Sequence, residues 1–241
     1  MIKVLRAPHQ SAAVTKTRFD KKTKALLLLA ALCLALLLPQ LVGETTYLTS
    51  YVANLAFHGN WHEVVPGRFY RSAELSTEEL VGHIRAQGIK TVIDLRFGEE
   101  KPAQGKTLES EVSSASGAAY YHLPLVGSDA GQKQKISELL ALYDKAQTPV
   151  LVHCTSGTHR SGVAAAIWLL TRENAGAAAA AEQLSHRYGF FYYERRLKSH
   201  LQGHQTIDAV IWKYFAAQKG GEPDFREWLA ATDDQALRAL N

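Results

Sequence analysis

One stretch of the chain has the residue types and spacing of a reaction centre: His153-Cys154-Thr155-Ser156-Gly157-Thr158-His159-Arg160-Ser161-Gly162. It follows the apolar run Pro149 to Val152 and precedes Val163 to Leu170, a pattern that reads as strand, tight loop and helix. A loop wrapped this tightly turns successive backbone N–H groups inward, as an anion-binding nest. The N-terminus of the following helix adds its positive dipole end at the same point. Arg160 has a planar fork of donors that matches two oxygens of a phosphate. Cys154, at the bottom of such a cup, is expected as a thiolate, because its surroundings favour negative charge. A thiolate beneath a phosphate cradle is arranged for nucleophilic attack on phosphorus.

His153-Cys154, five further residues and Arg160-Ser161 resemble the signature loop of the cysteine-dependent protein tyrosine and dual-specificity phosphatases. Two upstream stretches agree with the compact bacterial branch of that family: Pro66-Gly67-Arg68-Phe69-Tyr70-Arg71-Ser72 and Lys90-Thr91-Val92-Ile93-Asp94-Leu95-Arg96. The resemblance spans roughly Asn60 to Tyr188. It implies that Cys154 is the nucleophile of a phosphocysteine pathway and that Arg160 binds the phosphoryl oxygens. It further implies that Ser161 hydrogen-bonds the thiolate, and that the backbone of Thr155, Ser156, Gly157, Thr158, His159 and Arg160 lines the cradle. His153 is expected to brace the loop from behind. The family also uses a general acid from a separate loop. Asp129 is the only carboxylate of Leu125 to Gly131 and is the first candidate; Glu99 and Glu100 are the alternatives. The reaction implied needs no metal and no cofactor. The loop holds no lysine, only His159, which weighs against highly phosphorylated inositol substrates.

The elements that must position this loop follow from periodicity and punctuation. Trp61 to Tyr70 reads as one or two strands around the Pro66-Gly67 turn. Ser76-Thr77-Glu78-Glu79 is a capping box opening a helix over 77–87, which Gly88 stops. Lys90 to Leu95 is a buried strand, 101–117 a loop or peripheral helix, and Tyr120 to Leu125 another strand. Helices are expected over 134–146, 174–188 and 207–217, with a terminal helix within 222–240. The β–α alternation implies an α/β sandwich with a central, mainly parallel sheet flanked by helices. Such sheets place ligands at the carboxyl ends of their strands, where Cys154 falls. Arg96, at a strand end, reads equally as a neighbour of the site mouth and as half of a structural ion pair. His200 and His204 are four apart, but no third zinc ligand is evident.

Charge is unevenly placed. Residues 1–24 carry seven basic side chains against Asp20, a net of +6 in a chain whose total is +4, so the remainder is −2. The basicity therefore belongs to the tail, which argues against a nucleic-acid-binding surface. Ala25 to Val42 has no charged residue and is close to the roughly 17–25 residues of a membrane-spanning helix. With the basic flank entirely on its N-terminal side, the positive-inside rule puts the N-terminus in the cytoplasm. The rest then lies across the cell membrane, in the periplasm of a bacterium. An uncleaved anchor is favoured over a signal peptide because Leu41 stands where a small residue is wanted for cleavage.

The organisation expected is a basic tail at 1–24, a transmembrane signal anchor at 25–43, a lead-in at 44–59, a phosphatase domain at 60–219 and a helical extension at 220–241. Tyr47, Tyr51 and Phe57 of the lead-in suit either the membrane interface or packing on the domain. The aromatic-basic stretch Gly189 to Lys198 suits either a packed loop or an anionic membrane surface. Two cysteines, Cys33 and Cys154, exclude a disulfide framework within the soluble part. The partner is expected to be a phosphorylated protein or lipid. Two other functions use a similar loop. A rhodanese-type sulfurtransferase also presents a loop cysteine to inward N–H groups, but the spacing to Arg160 and the Arg160-Ser161 pair speak against it. A phosphate-capturing module without turnover would need no intact Cys154 and Arg160.

Overall fold

The computed structural model describes residues 46, 49–56, 58–100, 107–125, 131–190, 207–218, 224–233 and 236–237. The chain divides into two compact units, Met1–Glu44 and Thr45–Asn241, and every described residue lies in the second. The expected anchor at 25–43 and Cys33 lie outside the described residues. Among the described residues no helix is long and apolar enough to cross a membrane.

The second unit opens with a helical stretch over 49–56. Five strands follow: β1 (His62–Val65), β2 (Phe69–Ser72), β3 (Thr91–Asp94), β4 (Ala119–His122) and β5 (Val150–His153). They form one sheet in the order β1-β2-β5-β3-β4. Only the β1–β2 hairpin is antiparallel; β2–β5, β5–β3 and β3–β4 are parallel. The mainly parallel sheet expected from the β–α alternation is thus present. β2, β3 and β5 are buried along their whole length, as strands covered on both faces must be.

The period-2 alternation of side chains divides the core in two. Tyr70, Val92 and Leu151 point to one face, where they meet Leu80 and Ile84 of α1 (Thr77–Gln87) and Val112 of α2 (Glu109–Ala115). Phe69, Ile93, Val150 and Val152 point to the other, against α3 (Gln132–Lys145) and α4 (Arg160–Arg172). The same core takes in α6 (Ala209–Ala217) and α7 (Phe225–Ala231) through Val210, Ile211, Phe225, Trp228 and Leu229. The last residues expected as a helical extension therefore share the main core. Phe69, Tyr143 and Trp168 form an aromatic knot there, with Phe69 and Trp168 stacked at 4.5 Å.

Local signals account for most element ends. The Ser76 hydroxyl accepts from the Glu79 N–H, and the Glu79 carboxylate accepts in return from the Ser76 N–H, closing the capping box of α1. Gly88 ends the helix in the left-handed region at φ 64°. One expected helix is shorter than read. The segment 174–188 holds α5 (Ala177–Glu182) and a separate 3-10 turn, His186–Tyr188, instead of one helix. The break falls at Gln183, whose carbonyl and side chain are both taken by Arg71. The helix expected around Phe225, Trp228 and Leu229 is present as Phe225–Ala231, capped at its start by the Asp224 carboxylate on the Glu227 N–H.

Candidate active site

β5 is the middle strand of the sheet, and the loop from Cys154 to His159 leaves its carboxyl end to enter α4. Cys154 is buried, and its Sγ lies 3.6 Å from the Ser161 hydroxyl in the first turn of α4. Burial pushes the thiol up, but the Arg160 charge, the Ser161 hydroxyl and the N–H groups of Ser161 and Ser156 together outweigh it. The Cys154 pKa is lowered overall. The guanidinium of Arg160 donates to the Leu95 carbonyl at 3.1 Å and to the Thr155 hydroxyl at 3.1 Å. The arginine is thus held beside the loop by the end of the neighbouring strand β3. Cys154, Arg160 and Ser161 are brought together as the spacing implied. Thr155 is exposed, Ser156, His159 and Arg160 are half-buried, and Gly157 and Thr158 are buried. The ring of His159 packs edge-on against Phe190 at 5.1 Å.

From Thr155 to His159 each carbonyl of the loop meets a donor. The Thr155 carbonyl accepts from the Glu74 N–H at 3.4 Å, and the His159 carbonyl from the Val163 N–H at 2.9 Å. Between them, Asn60 Nδ2 reaches the carbonyls of Ser156 and Gly157, each at 3.1 Å. Arg71 Nη2 donates to the carbonyls of Gly157 at 2.8 Å and Thr158 at 2.9 Å. Gly157 has φ 67°, and a Cβ there would stand 2.5 Å from the Ala73 nitrogen. Only glycine meets both conditions. Tyr51, from the helical stretch before the sheet, lies with its hydroxyl 3.2 Å from the Thr158 hydroxyl and its ring against Gly189. Of the two settings weighed for the lead-in aromatics, Tyr51 takes packing on the domain; Tyr47 and Phe57 lie outside the described residues.

His153 and Arg96 belong to a buried polar cluster behind the loop. Arg96 binds both oxygens of Asp94, pairs with Glu109 and reaches Glu74 at 2.8 Å. His153 Nε2 lies 2.7 Å from Glu109, and the Tyr120 hydroxyl donates to Asp94 at 3.0 Å. Burial pushes the Asp94 carboxyl up, but the Arg96 hydrogen bonds dominate and hold it at about 2. Burial pushes the His153 imidazole down, but the Glu109 contact overrides it and the pKa is raised. Arg96 is therefore a structural ion pair. Asp94, Glu109 and His153 are close enough to share a cation, but Arg96 already occupies both carboxylates, so the set is a salt-bridge network.

Among the acid candidates, Asp129 lies outside the described residues. Glu100 is engaged elsewhere, accepting from the Ser110 N–H at the start of α2. Glu99 is exposed. His200, His204 and 191–198 of the aromatic-basic stretch also lie outside the described residues.

Sequence reading overlooked Asn60, Arg71 and Glu109. Arg71 carried a signal: it alternates with Phe69 on the inward face of a buried strand, where a charged residue needs a partner. Asn60 and Glu109 carried none, because their partners are remote in sequence.

A family model described as "DSP-PTPase phosphatase fused to NAD+ Kinase" matches residues 55–196, more than half of the chain. No curated protein matches in sequence. Among solved structures, TpbA of P. aeruginosa in complex with phosphotyrosine is 21% identical, over 54% of this chain and 75% of that one, with a TM-score of 0.42. The core catalytic domain of the PP-IP phosphatase SIW14 of S. cerevisiae is 19% identical, over 55% of this chain and 78% of that one, with a TM-score of 0.44.

Proposed function

Since the chain belongs to the family of dual-specificity-type protein tyrosine phosphatases, we propose that it hydrolyses phosphomonoesters through a phosphocysteine formed on Cys154. The supporting observation is the Cys154 thiol: fully buried, yet shifted toward the thiolate by Arg160, Ser161 and two backbone N–H groups. Burial alone would make it a neutral core side chain.

In the first step the Sγ thiolate attacks phosphorus, a P–S bond forms and the ester P–O bond breaks. Arg160 and the loop amides hold the equatorial oxygens while charge develops on them. The leaving oxygen takes a proton from a general acid, for which Asp129 is the candidate. In support, β4 runs parallel to β3 and β5, so it ends on the side of the sheet where β5 leads into Cys154, and Asp129 follows β4 in sequence. In the second step water attacks the phosphocysteine, the P–S bond breaks and inorganic phosphate leaves. Ser161 then donates to the departing thiolate.

The substrate is a phosphorylated protein or lipid, and residues 25–43 anchor the enzyme in the cell membrane with the catalytic unit on the extracytoplasmic side. The uncharged run Ala25 to Val42 behind a +6 tail supports this placement. Phosphate release by the full-length chain, without added metal, tests the chemistry against its Cys154→Ser variant. The variant is expected to lose turnover by roughly 10^4-fold or more while still binding phosphate. Turnover undiminished in the variant would refute the proposal.

A further inference from the structure

Arg71 is completely buried, and among the described residues no carboxylate pairs with it. Its two terminal nitrogens donate to the carbonyl oxygens of Gln183, Gly157 and Thr158 and to the Gln183 side chain, and its guanidinium lies 4.3 Å from the centre of the Tyr188 ring. A buried cation without a counter-ion is costly, and burial lowers this one to about 10, so it stays charged at neutral pH. What faces it is the outer side of the loop that carries Cys154. Asn60, also completely buried, sits beside it at φ 47°. Its amide nitrogen faces the loop carbonyls, so its oxygen faces His62 Nε2 at 2.8 Å, a nitrogen that the Asn54 amide also approaches at 3.0 Å.

A trans peptide puts its C=O and N–H on opposite sides. Carbonyls of Ser156, Gly157 and Thr158 pinned outward therefore turn the N–H groups of Gly157, Thr158 and His159 toward the inner side of the loop. Resting on the phosphatase reading above, we propose that Asn60 and Arg71 are positioning residues. They clamp three loop carbonyls from outside, fix the inward set of amides, and place a second buried positive charge behind the anion cup. Asn60 lies just before β1 and Arg71 on β2, so the first hairpin and the turn that leads into it set the geometry of a loop made about ninety residues later.

Asn60→Gly is the deciding variant, because glycine accepts the left-handed backbone and removes only the amide. Arg71→Met removes the fork and charge, Arg71→Lys keeps the charge alone, and Arg68→Ala is the control from the turn just before β2, where the side chain is exposed on Glu173. Two readouts on the full-length chain report the cup directly: the pH dependence of Cys154 alkylation by iodoacetamide, and the affinity for vanadate. Asn60→Gly is expected to weaken vanadate binding about tenfold and to move the alkylation midpoint upward, in a protein that folds but melts at a lower temperature because the buried carbonyls of Ser156, Gly157 and Tyr188 lose this donor. Arg71→Met should do both more strongly, and Arg71→Lys should recover the midpoint better than the vanadate affinity. Arg68→Ala should change neither. A folded Asn60→Gly with wild-type vanadate affinity and alkylation profile would overturn the clamp, whether or not Arg71→Met folds. Wild-type protein without turnover would overturn the phosphatase reading instead, and the two binding readouts would still judge the clamp.

Discussion

At the scale of single residues, the chemistry rests on keeping a buried thiol charged. Desolvation alone would raise Cys154; Arg160, Ser161 and two amides reverse the sign. The acid limb of kcat/KM should therefore fall below the ordinary thiol range near 8.5, because activity is lost only as pH drops through the lowered Cys154 value. Ser161 separates the two steps. Ser161→Ala leaves Cys154, Arg160 and the loop amides in place for the attack but removes the donor to the departing sulfur. The variant is expected to hydrolyse more slowly and to accumulate phosphoenzyme, measured as a rapid-quench burst of the alcohol released in the first step. A burst no larger than wild type, with unchanged turnover, would remove Ser161 from the second step.

At the scale of elements, the strand ends of β3 and β5 are tied by the buried cluster of Asp94, Arg96, Glu109 and His153. His153 has a raised folded pKa, so the stability it contributes is complete below its unfolded value near 6.5. That stability is lost as pH rises through the raised folded value. Glu109→Gln removes its partner and leaves Arg96 with one fewer carboxylate. It should cost roughly 3 kcal/mol, the scale for breaking a buried pair, and should flatten the decline of stability with rising pH. Urea unfolding at several pH values reads both effects. Elements whose ends are set locally were legible in sequence: α1 follows from Ser76, Glu79 and Gly88, and the loop from Cys154 to Arg160. Elements whose ends are set by distant contacts were not. The break after α5 exists because Arg71, from β2, takes the Gln183 carbonyl and Tyr188 covers the guanidinium. Composition favoured helix through 174–188, and no local signal opposed it. The role of Arg96 was likewise undecidable in sequence, since its partner Glu109 belongs to a polar segment that reads as either loop or peripheral helix, with nothing to tie it to the end of β3.

At the scale of the whole molecule, the carboxyl end of one mainly parallel sheet gathers the described parts of the proposed site. β5 delivers the nucleophile, β3 offers the Leu95 carbonyl that holds Arg160, and β2 brings Arg71 beneath the loop. The helical stretch at 49–56 reaches the same loop through Tyr51. Membrane anchoring by 25–43 predicts that the full-length chain sediments with membranes and resists carbonate extraction, while a chain lacking 1–43 is released; equal release of both would contradict the anchor. The most direct measurement of the central claim is acid-quench trapping of enzyme mixed with a phosphomonoester, followed by mass spectrometry of the peptide carrying Cys154. The account predicts one phosphoryl group on Cys154, increased in Ser161→Ala and absent in Cys154→Ser. Phosphate release by wild type with phosphoryl on another residue, or with Cys154→Ser fully active, would contradict it.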